Sequence, residues 1–153
     1  MSIIFTPELI IEQIINGLTI GAIYALIALG YTLVYGILLM INFAHGEIFM
    51  FGAFGGYFIL SWLFQSGFTA NHLVLSIVAA FAGGMLVSSL LGILVERLAY
   101  RPLRNAPRLS PLICAIGVSF FLQNIMMLFV EARILMYPDV FPEETVSVGP
   151  VTI

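Results

Sequence analysis

The stretch "MINFAHGEIFM", residues 40 to 50, sets Asn42, His45, Gly46 and Glu47 between two long apolar runs. Whether these polar residues meet water, a bilayer surface or hydrocarbon decides the fold. Their surroundings supply most of the answer. Of the 153 residues, 61% are hydrophobic and 8% charged, against about 45–50% and 25% in an ordinary soluble domain. Too few charges remain to coat a water-soluble globule. Outward from residues 40–50, four apolar runs stand out, at 14–40, 48–64, 73–95 and 109–130. As helices, each is close to or longer than the roughly 30 Å hydrocarbon core of a bilayer. An isolated strand would leave its amides unpaired in lipid, so the runs are expected to be helical. The sequence predicts an all-α, polytopic transmembrane helical bundle with about four spanning segments and, in one reading, a broken helix near 42–47.

Residues 42–47 have two readings. On a continuous helix Asn42 and His45 share a face, while Glu47 points elsewhere. A break at Gly46 would let all three turn toward one cavity, and irregular backbone at membrane depth is tolerated only where it lines a cavity or is buried in protein. In the other reading the stretch is a capped cytoplasmic turn: Asn42 ends one helix, and Glu47 sits in the first turn of the next, against its dipole. Depth matters, because an uncompensated carboxylate at the midplane costs roughly 2.5–3.5 kcal/mol on insertion scales and far less at an interface. Asn42, His45 and Glu47 are the candidates for a substrate path or gate.

Charge sets the expected orientation. The net charge is −3, there is no Lys, and four of the five Arg residues, Arg97, Arg101, Arg104 and Arg108, fall in the connector 96–108. The positive-inside rule makes that connector cytoplasmic. Connector 65–72 is then external, 42–47 faces the cytoplasm, and both termini are external. Glu8 and Glu12 at one end and Asp139, Glu143 and Glu144 at the other lie in segments nearly free of basic residues, which suits export. The first 13 residues hold two acids and no base, unlike the positive start of a cleavable signal peptide, so the first run is expected to stay in the mature protein. The expected organisation is an external amphipathic N-terminus at 1–13, a transmembrane domain at 14–130, and an external loop or short strand at 131–153. In that last segment Pro138, Pro142 and Pro150 accompany the alternating "TVSVGPVTI", which reads as a loop entering a short strand or hairpin.

Small residues recur every four positions: Gly17, Gly21 and Ala25 on the first run, Gly52 and Gly56 on the second, and Ala80, Gly84, Ser88 and Gly92 on the third. In a helix this spacing makes a smooth stripe that lets another helix come close, and in lipid such dispersion contacts drive association. The stripes are expected to serve helix packing, with some glycines alternatively acting as pivots or lining a path. Trp62 suits an interfacial anchor, and His72 an exposed loop.

Recognisable reaction chemistry is missing. Without Lys there is no G-x-x-x-x-G-K-[ST] phosphate loop, and neither H-E-x-x-H nor G-x-S-x-G occurs, so ATP hydrolysis by that loop, zincin chemistry and a serine-hydrolase elbow have no support. Cys114 stands alone and makes no internal disulfide. His45 and Glu47 are too few for zinc, which takes three or four protein ligands. No catalytic residue, metal or cofactor is expected. Nucleic acid is not an expected partner, since basic residues cluster only in one connector.

Two stretches carry a resemblance. "NGLTIGAIYALIALGYTLVYGILLMINFAHGEIFMFGAF", residues 16–54, resembles the opening of the permease subunits of branched-chain amino acid ABC importers, within a wider family that includes urea and amide permeases. "ERLAYRPLRNAPRLSPLICAIGVSFFLQN", residues 96–124, is similar to the segment that follows, and its "YRPLR" and "AIGVSFFLQN" favour the branched-chain amino acid branch. The resemblance implies a multi-pass subunit of the bacterial inner membrane, surrounded by lipid. Its implied partners are a homologous second permease subunit, cytoplasmic ATPase subunits that hydrolyse the ATP, and a periplasmic amino-acid-binding protein. Members of the family run well beyond this length, with a later cytoplasmic segment that resembles an ATPase coupling helix, so the chain reads as an N-terminal portion. Arg97, Arg101 and Arg104 serve either as positive-inside anchors or as contacts for an ATPase. The competing readings are a urea or short-chain amide permease and a non-transporting membrane scaffold.

Overall fold

Long uncharged runs can satisfy their backbone amides in lipid only by closing them within a helix, and the chain does so. The computed structural model describes residues 7–39, 41–107, 109–130, 135–140, 147–148 and 151–152. Arg108, Glu131, Arg133, Glu143 and Glu144 lie outside the described residues. The helices are α1 (Pro7–Leu38), α2 (His45–Gln65), α3 (Phe68–Asn71), α4 (Leu73–Val95) and α5 (Leu109–Val130). Four of them, α1, α2, α4 with its extension, and α5, are long and apolar enough to cross a membrane. The chain is thus an all-α, multi-pass membrane protein. Its one sheet among the described residues is a two-stranded antiparallel ladder, β1 (Ser147–Val148) with β2 (Val151–Thr152), paired Ser147 to Thr152 and Val148 to Val151. The alternating tail therefore pairs with itself.

The chain divides into two compact units, residues 1–29 with 141–153 and residues 30–140. In the first, α1 begins at Pro7, well before the apolar run, as suits a residue with fixed φ and no amide hydrogen to satisfy. The side chains of α1 in this unit are nearly all exposed. No described atom lies within 4 Å of where a Cβ would sit on Gly17 or Gly21.

In the second unit the principal packing is α2 against α4, and small residues make it close. A Cβ on Gly84 would lie 2.7 Å from the Gly52 carbonyl oxygen, and one on Gly56 would lie 3.1 Å from that of Ala80. A Cβ on Gly52 would collide with the Ser88 hydroxyl. That hydroxyl also donates to the Ile48 carbonyl at 3.2 Å. Backbones this near gain dispersion contacts that lipid tails cannot match. The seam stops short of Gly92, where no described atom is within 4 Å of a Cβ position. Between the two helices the chain reverses through Gly67, whose φ of 74° is the left-handed geometry that glycine adopts freely.

Helix α4 does not stop at Val95. It widens into a π turn at Glu96–Tyr100 and tightens into a 3₁₀ turn at Arg101–Leu103, where Pro102, lacking an amide hydrogen, opposes further α-helix. The arginine connector is thus partly helical, and Arg97, Arg101 and Arg104 are all exposed on it. The wider turn shifts the phase of the side chains, leaving those arginines outside and Tyr100 inside. Around Tyr100 forms the core: Ala44, Val95, Tyr100, Ala115 and Leu122, flanked by Ile48, Phe51, Leu91 and Val118. From α5 the buried face is Ala115, Leu122 and Met126, positions that recur with the helical repeat.

Candidate functional site

The site is the non-helical joint between α1 and α2. Leu39 closes α1 with φ 53°, its amide donating to the Tyr35 carbonyl at 2.8 Å. This is the left-handed helix stop more often made by glycine. A branched residue there is uncommon and costs energy. The chain resumes helix at His45, so Gly46 lies within the first turn of α2 and is not a break.

Asn42 sits in that joint at only 7% exposure. Its Oδ1 accepts the Ala44 amide at 3.1 Å, a side chain bonding its own backbone two residues on. The same oxygen accepts the Tyr100 hydroxyl at 2.5 Å. Tyr100 is 8% exposed and Ala44 is fully buried, so this polar pair is sealed in an apolar core, where hydrogen bonds are strong and their loss expensive. Nearby, the Cys114 thiol lies 3.7 Å from the Ala99 carbonyl, tying α5 to the π turn.

His45 turns elsewhere. Its ring meets Tyr31 edge to face at 4.8 Å between centroids. It lies over Gly30, where any Cβ would collide with the imidazole. Gly30 is therefore the seat that lets a ring approach α1. Glu47 occupies the first turn of α2, where a carboxylate is favoured by the helix dipole. Its Oε2 is shielded from solvent and has no hydrogen-bond partner among the described residues.

The joint thus brings Asn42, His45 and Glu47 into one neighbourhood but gives each a different environment. The His45 amide donates to the Asn42 carbonyl at 3.2 Å, but among the described residues no side-chain hydrogen bond joins any two of the three. Ala80, Gly84 and Ser88 meet α2 in the seam, whereas Gly92, Gly17 and Gly21 stand open among the described residues. Among those residues no group of three His, Cys, Asp or Glu side chains is placed to hold a metal ion. Sequence reading missed Tyr100, Tyr31 and Gly30. Tyr100 sits amid arginines and reads as an interfacial loop residue, and only the π turn aims it inward. Gly30 and Tyr31 carried no motif beyond their place in the first apolar run.

A family model described as branched-chain amino acid transport system / permease component matches residues 13–149. The chain is 48% identical over 132 residues to the high-affinity branched-chain amino acid transport system permease protein BraD of Pseudomonas aeruginosa, which covers 86% of this chain and 42% of that protein. It is 46% identical over 131 residues to the corresponding permease proteins LivH of Escherichia coli K12 and Salmonella typhimurium, with the same two shares. The chain therefore spans 42% of the length of these curated relatives. No solved structure matches it.

Proposed function

Because the chain belongs to the family described as branched-chain amino acid transport system / permease component, we propose that it forms part of the membrane pathway of an ATP-driven importer of leucine, isoleucine and valine. In this reading it lies in the bacterial inner membrane with the arginine connector in the cytoplasm. It works beside a homologous second permease subunit, cytoplasmic ATPase subunits and a periplasmic amino-acid-binding protein. The names of the relatives, all branched-chain amino acid permeases, favour these substrates over urea or an amide.

The observation that carries the mechanism is the non-helical joint between two spanning helices, with the buried Glu47 Oε2 lacking a hydrogen-bond partner among the described residues. A branched-chain amino acid crosses as a zwitterion, with an apolar side chain and two charged ends. Apolar helix walls suit the side chain, and helix ends with a few polar groups suit the charges. Glu47 supplies a negative charge for the ammonium, His45 a ring at the same level, and Asn42 holds the joint in shape through Tyr100. The test is uptake of labelled leucine by membrane vesicles that contain the complete system with His45→Ala or Glu47→Gln. Loss of a charge-assisted hydrogen bond is expected to slow uptake roughly tenfold or more for Glu47→Gln. Wild-type rates in both variants remove these residues from the mechanism.

A further inference from the structure

The segment after α5 reaches deep along α2. Ala53 is the ninth of the 21 residues of α2, in the middle third of a membrane-crossing helix. Its carbonyl accepts the Tyr137 hydroxyl at 2.7 Å. The Tyr137 ring stands edge to face on Tyr57 at 5.6 Å, and its hydroxyl lies 3.3 Å from where a Cβ would sit on Gly56. Helix α5 starts beside the π turn and the His45 end of α2, where Ala115 clusters with Ala44 and Tyr100. Val130 therefore lies toward the Gln65 end, whereas Tyr137 sits deeper along α2, at Ala53.

Two further observations bear on what surrounds it. Residues 135–140 have no regular secondary structure, and irregular backbone at membrane depth is not stable facing lipid. Ala53, Tyr57 and Ser61 are spaced four apart, on one face of α2. The Ser61 hydroxyl on that face is buried without a partner among the described residues, as is that of Thr69 in α3 just past the Gln65 end. Buried hydroxyls are normally satisfied by protein or by water. These groups belong beside water or a polar solute, not beside acyl chains.

We propose that residues 135–140 form a re-entrant strap whose Tyr137 hydroxyl latches, at its deep Ala53 end, a hydrated crevice along the Ala53, Tyr57 and Ser61 face of α2, a crevice suited to a zwitterionic solute. This deepens the proposed function and rests on its orientation. The latch bond is one ordinary hydrogen bond to a carbonyl that already serves its helix, so it is weak enough to open in each cycle.

The test is thiol labelling of the full chain in intact spheroplasts, in a Cys114→Ser background, with a charged, membrane-impermeant methanethiosulfonate and normalisation to denatured protein. Ala53→Cys and Ser61→Cys are the reporters, and Phe81→Cys, at an exposed position in the middle third of α4, is the lipid control. Both reporters are expected to react at least tenfold faster than the control, and adding Tyr137→Phe is expected to raise their rates about fivefold, the effect of losing one hydrogen bond. Reporters as inert as Phe81→Cys overturn the crevice, and rates unchanged by Tyr137→Phe overturn the latch. Arg101→Cys, labelled in parallel from either side, reports orientation separately, and leucine uptake reports transport. Failure of either is thus distinguishable from failure of the crevice.

Discussion

At the scale of single residues the Asn42–Tyr100 pair controls the joint. One amide oxygen accepts both the Tyr100 hydroxyl and the Ala44 amide. Removing the donor and removing the acceptor therefore have different costs. Tyr100→Phe deletes one bond and leaves Asn42 partly satisfied, an expected loss of about 0.5–1.5 kcal/mol. Asn42→Ala strands a buried hydroxyl and a buried amide together, an expected loss of roughly 1–3 kcal/mol. Unfolding of the purified chain in mixed micelles should rank them in that order. The double variant should be no less stable than Asn42→Ala alone, because the coupled term is lost only once; simple addition of the two costs would disprove the coupling. Asn42 was legible in the sequence as an odd polar residue in an oily context. Its partner was not, because the two are 58 positions apart and no local pattern links them.

At the scale of elements the decisive contact is the α2 and α4 seam. A methyl group at Gly84 would sit 2.7 Å from the backbone oxygen of Gly52, and a backbone atom cannot rotate away as a side chain does. Gly84→Ala is expected to destabilise the chain by about 1–3 kcal/mol through forced separation of the helices. Gly92→Ala, on the same stripe but open, is expected to be neutral or to stabilise by up to about 1 kcal/mol through helix propensity. Equal effects in the same micelle titration would show that the close approach does not matter. The four-residue repeat of small residues was legible on three runs, but which stripes meet was not. Any two smooth stripes are compatible in one dimension, and here Gly52 and Gly56 meet Ala80, Gly84 and Ser88. The ends of elements were equally hidden: α1 stops at Leu38 with no Gly or Pro to mark the place, and α4 runs on through a π turn inside what looked like a loop.

At the scale of the whole molecule, solvent decides behaviour. Large apolar side chains stand outward along α1, α4 and α5, among them Leu18, Leu26, Phe81, Leu90 and Leu128, a surface that water would not tolerate and that suits lipid or further protein. The chain should remain in the membrane pellet after alkaline carbonate extraction, and release into the supernatant would refute a spanning arrangement. The proposed orientation makes its own demand. A thiol at Arg101→Cys should react with an impermeant reagent only after the inner face is exposed, and labelling in intact cells would reverse the topology.

Hydropathy and helix length are properties of consecutive residues, and from them alone came the membrane environment, the four crossings and the helical state of each run. Lipid imposes these one segment at a time, since each run must close its own amides whatever its neighbours do. The tertiary structure decided the rest: the seat of His45 on Gly30, the turn of Tyr100 toward Asn42, the bond from Ser88 to Ile48 and the reach of Tyr137 to Ala53. In a bilayer all apolar faces are nearly alike, so greasiness cannot choose partners. Shape at small residues and a few hydrogen bonds across long stretches of chain make that choice, and both exist only once the helices are side by side.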